Sequence, residues 1–140
     1  MSLLYSVKQV ELAIRHALDS LLRPTGVGTM PYTALTVLER HDGLTASELA
    51  RNSFVTAQTM NELVVGLERR GLVRRDPDPD HARRLLVRLT PTGRAFIHAH
   101  RPAVDDVEQQ MVSRLSPVEA AMLADLLQRC RQSLHVEPAR

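Results

Sequence analysis

The stretch that most constrains the fold is 45–90, where two closely spaced helix starts are followed by a change of hydrophobic period. Thr45-Ala-Ser-Glu48 has the spacing of a capping box, in which the hydroxyl receives a backbone N–H and the glutamate reaches back. It opens a short helix through Leu49 and Ala50 that ends near Asn52. Thr56 offers a second start, and the helix it opens runs to Gly71, a natural C-terminal stop. Met60, Leu63, Val64 and Leu67 form its apolar stripe. At about 100° per residue the opposite side holds Gln58, Glu62, Val65 and Arg69, flanked by Thr59 and Asn61. Residues 72–75 then read as a strand. Asp76-Pro77-Asp78-Pro79-Asp80 reads as irregular, because prolines break both helix and ladder. Residues 84–89 alternate, with Leu85, Val87 and Leu89 on one face and Arg84 and Arg88 on the other. Two strands around a polar turn make a β-hairpin.

The flanks are helical. Residues 3–22 place Leu4, Val7, Ile14, Leu18 and Leu21 at helical spacing, before a loop marked by Pro24, Gly26 and Gly28. Pro31 reads as the first residue of a short helix carrying Leu35 and Leu38, ending near Gly43. Thr90-Pro91 starts another helix, with Phe96, Ala99, Ala103, Val107 and Met111, which Pro102 is expected to kink or split. Ser116-Pro117-Val118-Glu119 is a second capping box, opening a helix with Met122, Leu126, Cys130 and Leu134 on one stripe. Glu137-Pro138-Ala139-Arg140 reads as a frayed end. The fold class is therefore mainly α with a small β-hairpin wing (α+β), a winged helix-turn-helix with amphipathic helices at both ends. A helix pair with an exposed second helix is a device for reaching major-groove base edges.

Charge agrees with that geometry. The net charge of the 140 residues is only +2. Residues 51–101, however, carry ten arginines against five acids, while both flanks are net acidic. A basic centre between acidic flanks points to an anion-binding surface. The single cysteine, Cys130, allows no intrachain disulfide and no metal-type cysteine spacing. No stretch approaches the roughly 18 apolar residues of a membrane span, and charges from Lys8 onward interrupt any signal-peptide layout. A cytoplasmic protein with no cofactor is expected.

Within 56–93 the run Leu63-Val64-Val65-Gly66-Leu67-Glu68-Arg69-Arg70-Gly71-Leu72-Val73-Arg74-Arg75 is followed by Asp76-Pro77-Asp78-Pro79-Asp80 and Val87-Arg88-Leu89-Thr90-Pro91-Thr92-Gly93. Together these strongly resemble the MarR family of bacterial transcriptional regulators, and the order of elements agrees over nearly the whole chain. The resemblance implies a single domain over 1–140, with dimerisation helices at 1–23 and 91–136 and a winged lobe at 31–90. It implies a homodimer reading a pseudo-palindromic operator in double-stranded DNA through 56–69 and the wing at 76–88. The expected DNA-binding residues are Thr56, Gln58, Thr59, Asn61, Glu62, Arg69, Arg75, Arg83 and Arg84. Where relatives often carry Thr-x-Thr-Arg, this chain has Thr59-Met60-Asn61-Glu62. Asn reads adenine and Glu accepts from cytosine, although Glu62 repels phosphate. Where the family commonly has Asp-x-Arg in the wing, this chain has His81-Ala82-Arg83, with the carboxylate displaced to Asp80.

Other chemistry finds less support. There is no glycine-rich phosphate loop, nucleophile elbow or HExxH pair, so no catalytic residue is expected. His98 and His100 are two apart and diverge on a helix, and a metal site would need His16, His41, His81 and Asp106 to converge. Cys130 shares a stripe with Leu126 and Leu134, which favours packing over redox sensing. The family's commonest regulation is a phenolic or carboxylic effector; Tyr32, His16 and Arg101 are its plausible polar contacts here, while the site itself stays unassigned. The alternative function is a winged protein-interaction module whose basic face binds an acidic partner.

Overall fold

The computed structural model describes residues 1–134. Helix α1 (Leu3–Leu22) is followed by a 3-10 turn (Arg23–Thr25), then α2 (Thr29–Arg40), α3 (Ala46–Asn52) and α4 (Ala57–Arg69). Strands β1 (Val73–Asp78) and β2 (His81–Leu89) precede α5 (Pro91–Met111) and α6 (Pro117–Ser133). Among the described residues the chain forms two compact units, one of Val27–Arg101 and one of Met1–Gly26 with residues 102–134. The frayed end expected at Glu137-Pro138-Ala139-Arg140 lies outside the described residues, as do residues 135 and 136 at the end of the expected dimerisation segment.

Both capping boxes form. In the first, Glu48 N–H donates to Thr45 Oγ1 at 3.2 Å and Thr45 N–H to Glu48 Oε1 at 3.0 Å. That backbone hydrogen bond, reinforced by Arg84 and Arg51, holds the Glu48 carboxyl below its usual pKa. In the second, Ser116 and Glu119 exchange the same pair of bonds at 2.9 and 3.1 Å. Helix α2 begins at Thr29, two residues before expectation, with Gly28 as its N-cap. Pro31 fits there because the first N–H groups of a helix have no partner; the first bond is Tyr32 N–H to Gly28 O at 3.0 Å.

In the Val27–Arg101 unit the core is aliphatic. Leu35, Leu38, Leu49, Met60, Val64, Leu67, Val87 and Ile97 are fully buried, each contributing about 1.5–3 kcal/mol. The stripe of α4 is buried at Met60, Val64 and Leu67, with Leu63 at its half-buried margin. An isolated bridge pairs Leu44 with Val87, so the segment before α3 acts as a short third strand beside β2.

The hairpin is longer than expected. Asp76, Pro77 and Asp78 belong to β1, paired with Leu86, Leu85 and His81, and β2 reaches back to His81. The expectation that the Asp-Pro run is irregular is therefore corrected: only Pro79 and Asp80 form the turn. A strand with one neighbour leaves half its N–H groups unpaired, so proline is tolerated there, and a register shift falls between Pro77 and Asp78. The expected alternation also fails toward the tip. Leu85 is 48% exposed whereas Leu86 is buried, because the inward face is covered only at the base of the hairpin.

The Leu-Thr-x-x-Gly run has a direct physical reading. Thr90 Oγ1 donates to Gly71 O at 2.6 Å and receives Gly93 N–H at 3.0 Å. Thr90 N–H meets Leu72 O at 3.2 Å. This pulls the start of α5 so close to β1 that a Cβ on Gly93 would lie 2.1 Å from Leu72 O. Helix α5 then continues through Pro102 unbroken, correcting the expected split; one backbone donor is simply missing from its ladder.

In the other unit α1 and α6 leave large apolar side chains uncovered. Leu3, Leu4, Val7, Met122, Leu126 and Leu134 are exposed, and α6 has no buried residue at all. Val10, Ile14, Val107 and Met111 wall an apolar groove of about 300 Å³. Cys130 is exposed, contrary to the core position expected from its stripe, because that stripe has nothing packed on it within the single chain.

Candidate nucleic-acid interface

Helix α4 presents its polar side to solvent. Thr56 caps it, accepting Thr59 N–H at 3.1 Å while donating its own hydrogen to Thr59 Oγ1 at 3.0 Å. Both threonines are thus engaged in setting the first turn. Gln58, Asn61, Glu62 and Arg69 are exposed on the face opposite Met60, Val64 and Leu67, with Val65 among them. Their donors and acceptors differ in kind: two amides, one carboxylate and one guanidinium.

The arginines divide into two groups. Arg75 pairs with Glu68 at 3.0 Å, tying β1 to α4, and Arg74 pairs with Asp76 at 2.9 Å, which raises the Arg74 pKa. Arg88 and Arg94 both reach Asp42 at 3.7 Å, and Arg101 pairs with Glu39. Arg84 lies 3.4 Å from Asp78. Among the described residues Arg51, Arg69 and Arg83 form no salt bridge, and all three are exposed. Within 51–101 most of the arginines are therefore paired internally, and unpaired positive charge there is concentrated on few side chains.

Two acids missed in the sequence organise the wing. Asp78 is 9% exposed; its Oδ1 receives Asp80 N–H at 2.9 Å while Oδ2 faces Arg84. This Asx turn makes Asp78, rather than Asp80, the carboxylate that braces the wing, and Arg84 the arginine it holds. An Asp-Pro followed two residues later by a turn donor is the signal that was available. Asp42 accepts Leu89 N–H at 3.3 Å. It lies 47 positions from Leu89 in sequence, and no local pattern announces such a contact.

Of the candidate effector residues, Tyr32 and Arg101 belong to the Val27–Arg101 unit and His16 to the other. Tyr32 is buried with its ring centroid 6.4 Å from that of Phe96. His100 stacks on Phe96 at 4.3 Å and donates from Nδ1 to Phe96 O at 2.8 Å. His16 is exposed on α1. Among the described residues no three His, Cys, Asp or Glu side chains are grouped as a metal ion would require, and no helix is long and apolar enough to cross a membrane.

Two helices joined by a tight turn, the second displaying polar side chains, with a hairpin pinned beside them, define a winged helix-turn-helix protein. Residues 25–84 match the family model described as the MarR family. The transcriptional regulator HosA of Escherichia coli O111:H- is 30% identical over 115 residues, covering 82% of this chain and 81% of the relative. Among solved structures, the S. aureus MepR–DNA complex superposes with a TM-score of 0.83 at 26% identity, covering 95% of this chain and 98% of that one. The Mycobacterium tuberculosis MarR family protein Rv2887, in complex with p-aminosalicylic acid, gives 0.77 at 27% identity, covering 93% and 98%. The chain belongs to the MarR family of transcriptional regulators.

Proposed function

We propose that the chain is a homodimeric repressor that binds a pseudo-palindromic operator in double-stranded DNA and is released by a small phenolic or carboxylic effector. The observation that carries this reading is the exposed face of α4, where Gln58, Asn61 and Glu62 offer base-reading groups and Arg69 a phosphate contact. Arg83 serves as the wing's minor-groove cation, while Thr56, Thr59, Arg75 and Arg84 hold the reading surface in place. Relatives support repression, DNA binding and a small-molecule ligand: a Mycobacterium tuberculosis relative 28% identical to this chain is named a transcriptional repressor, MepR is solved with DNA, and Rv2887 with p-aminosalicylic acid. The experiment is a fluorescence-anisotropy titration against DNA upstream of the chain's own gene, with and without salicylate. Saturable binding weakened by salicylate is expected; no preference over random DNA overturns the reading.

The uncovered apolar side of α6 supports dimerisation, since contiguous exposed apolar surface marks an interaction site. Leu126→Asp, at a position exposed in the single chain, is expected to leave helical content unchanged while converting dimer to monomer and abolishing operator binding. Half-sites about 10 base pairs apart are expected for the intact dimer. A Leu126→Asp protein that stays dimeric by light scattering refutes this assignment.

Asn61 and Arg83 fail differently. Asn61→Ala is expected to cost about 1–3 kcal/mol on the operator and to relax preference at one base pair. Arg83→Ala weakens binding evenly across operator variants and makes the salt slope shallower. Titration of both variants against single-base-pair changes separates the two roles, and an unchanged preference profile for Asn61→Ala moves the reading surface elsewhere.

A further inference from the structure

Phe54 sits in the turn between Asn52, the end of α3, and Thr56, the cap of α4, and is the one non-glycine among the described residues with positive φ, at 60°. Its side chain is 73% exposed. The turn itself is well closed: Ser53 and Val55 N–H both donate to Ala50 O at 3.2 Å. That closure demands a left-handed residue at 54, where glycine is the ordinary occupant and a bulky side chain is strained. The ring gains little burial in return, and the neighbouring Ser53 hydroxyl is buried without a hydrogen-bond partner among the described residues. Nothing in the folding of the single chain accounts for a phenyl group here.

We propose that Phe54 is a DNA-contact residue, its ring packing against apolar surface of the duplex beside α4. The proposal rests on the DNA-binding reading above. The ring directly precedes the polar face of α4 and lies three residues after Arg51, which carries no salt bridge among the described residues. Within the Val27–Arg101 unit the other exposed large apolar side chains are Met30, Val65 and Leu85, on three separate elements, so Phe54 is not part of a protein-docking patch built on its own turn. Duplex DNA offers apolar surface in two forms, deoxyribose carbons and the thymine C5-methyl group. Strain retained at a position that does not repay it in stability is a mark of function.

The test is Phe54→Gly, assayed on duplex selected by the wild-type protein from a random pool, with affinities referred to the active fraction at several salt concentrations. The glycine suits the backbone, so the melting temperature is expected to hold or rise. Affinity is expected to fall about tenfold, the scale of one lost contact, with the salt slope unchanged. Unchanged affinity overturns the proposal, as does a loss accompanied by a lower melting temperature or an altered slope. Replacing thymines by deoxyuridine assigns the source: a methyl effect present in wild type and absent in the variant identifies thymine, and none identifies sugar. Failure of the wild-type protein to select any duplex defeats the DNA-binding reading itself, an outcome distinct from an inert Phe54.

Discussion

Gly93→Ala is expected to destabilise the protein by about 3 kcal/mol or more, lowering the melting temperature by roughly 10 °C. The added methyl group would sit 2.1 Å from the Leu72 carbonyl oxygen, and the obstacle is backbone, which no rotamer change relieves. Relief requires the start of α5 to move away from β1, stretching the Thr90–Gly71 and Thr90–Leu72 hydrogen bonds that join them. Gly66→Ala is the matched control. It lies inside α4 with no atom within 4 Å of its Cβ position, so the same substitution is expected to stabilise by about 0.5–1 kcal/mol. Thermal unfolding of the two variants beside wild type checks both signs, and a Gly93→Ala protein as stable as wild type contradicts the close approach.

DNA affinity is expected to fall about a thousandfold between 50 and 200 mM salt, a log–log slope of roughly −5. That slope corresponds to about six phosphate contacts in the proposed dimer. Within 51–101, three exposed arginines, Arg51, Arg69 and Arg83, carry no salt bridge among the described residues, and the two chains of the proposed dimer would supply that number. The ten arginines of the basic centre would suggest a far steeper dependence if all were free. A titration series in potassium chloride measures the slope. A value near zero counts decisively against a phosphate-binding surface, and a value near −10 shows that the internal ion pairs open on DNA.

The parts of the fold written in local chemistry were legible. Thr45 with Glu48, Ser116 with Glu119, and Thr56 with Gly71 each mark a helix boundary through hydrogen bonds made within a few residues. The exposed face of α4 followed from periodicity alone. The wing was less legible, because proline in a strand is forbidden only where a neighbour needs its N–H. Pro77 lies in a strand with a single partner, and that fact belongs to tertiary structure. Leu85 and Leu86 exchanged roles for a related reason: alternation predicts two faces but not where along a hairpin the cover ends. Asp42 and Asp78 act through contacts set by the closing of the lobe. Cys130 shows that an apolar stripe identifies a face that needs a partner without saying that the same chain provides it.

The arrangement of the hairpin also bears on how the protein behaves when crowded with copies of itself. Leu44 occupies the free side of β2 at the base, which leaves β1 as the outermost strand of the ribbon. A bare strand of this kind is a template on which another chain's strand can add. Here that border carries Asp76, Pro77 and Asp78, with a register shift at its end. An incoming strand would meet a missing donor and a broken spacing within three residues. The same residues that hid the strand from a reading of the sequence therefore keep the wing from nucleating aggregates, and leave it a slender projection free to meet a groove.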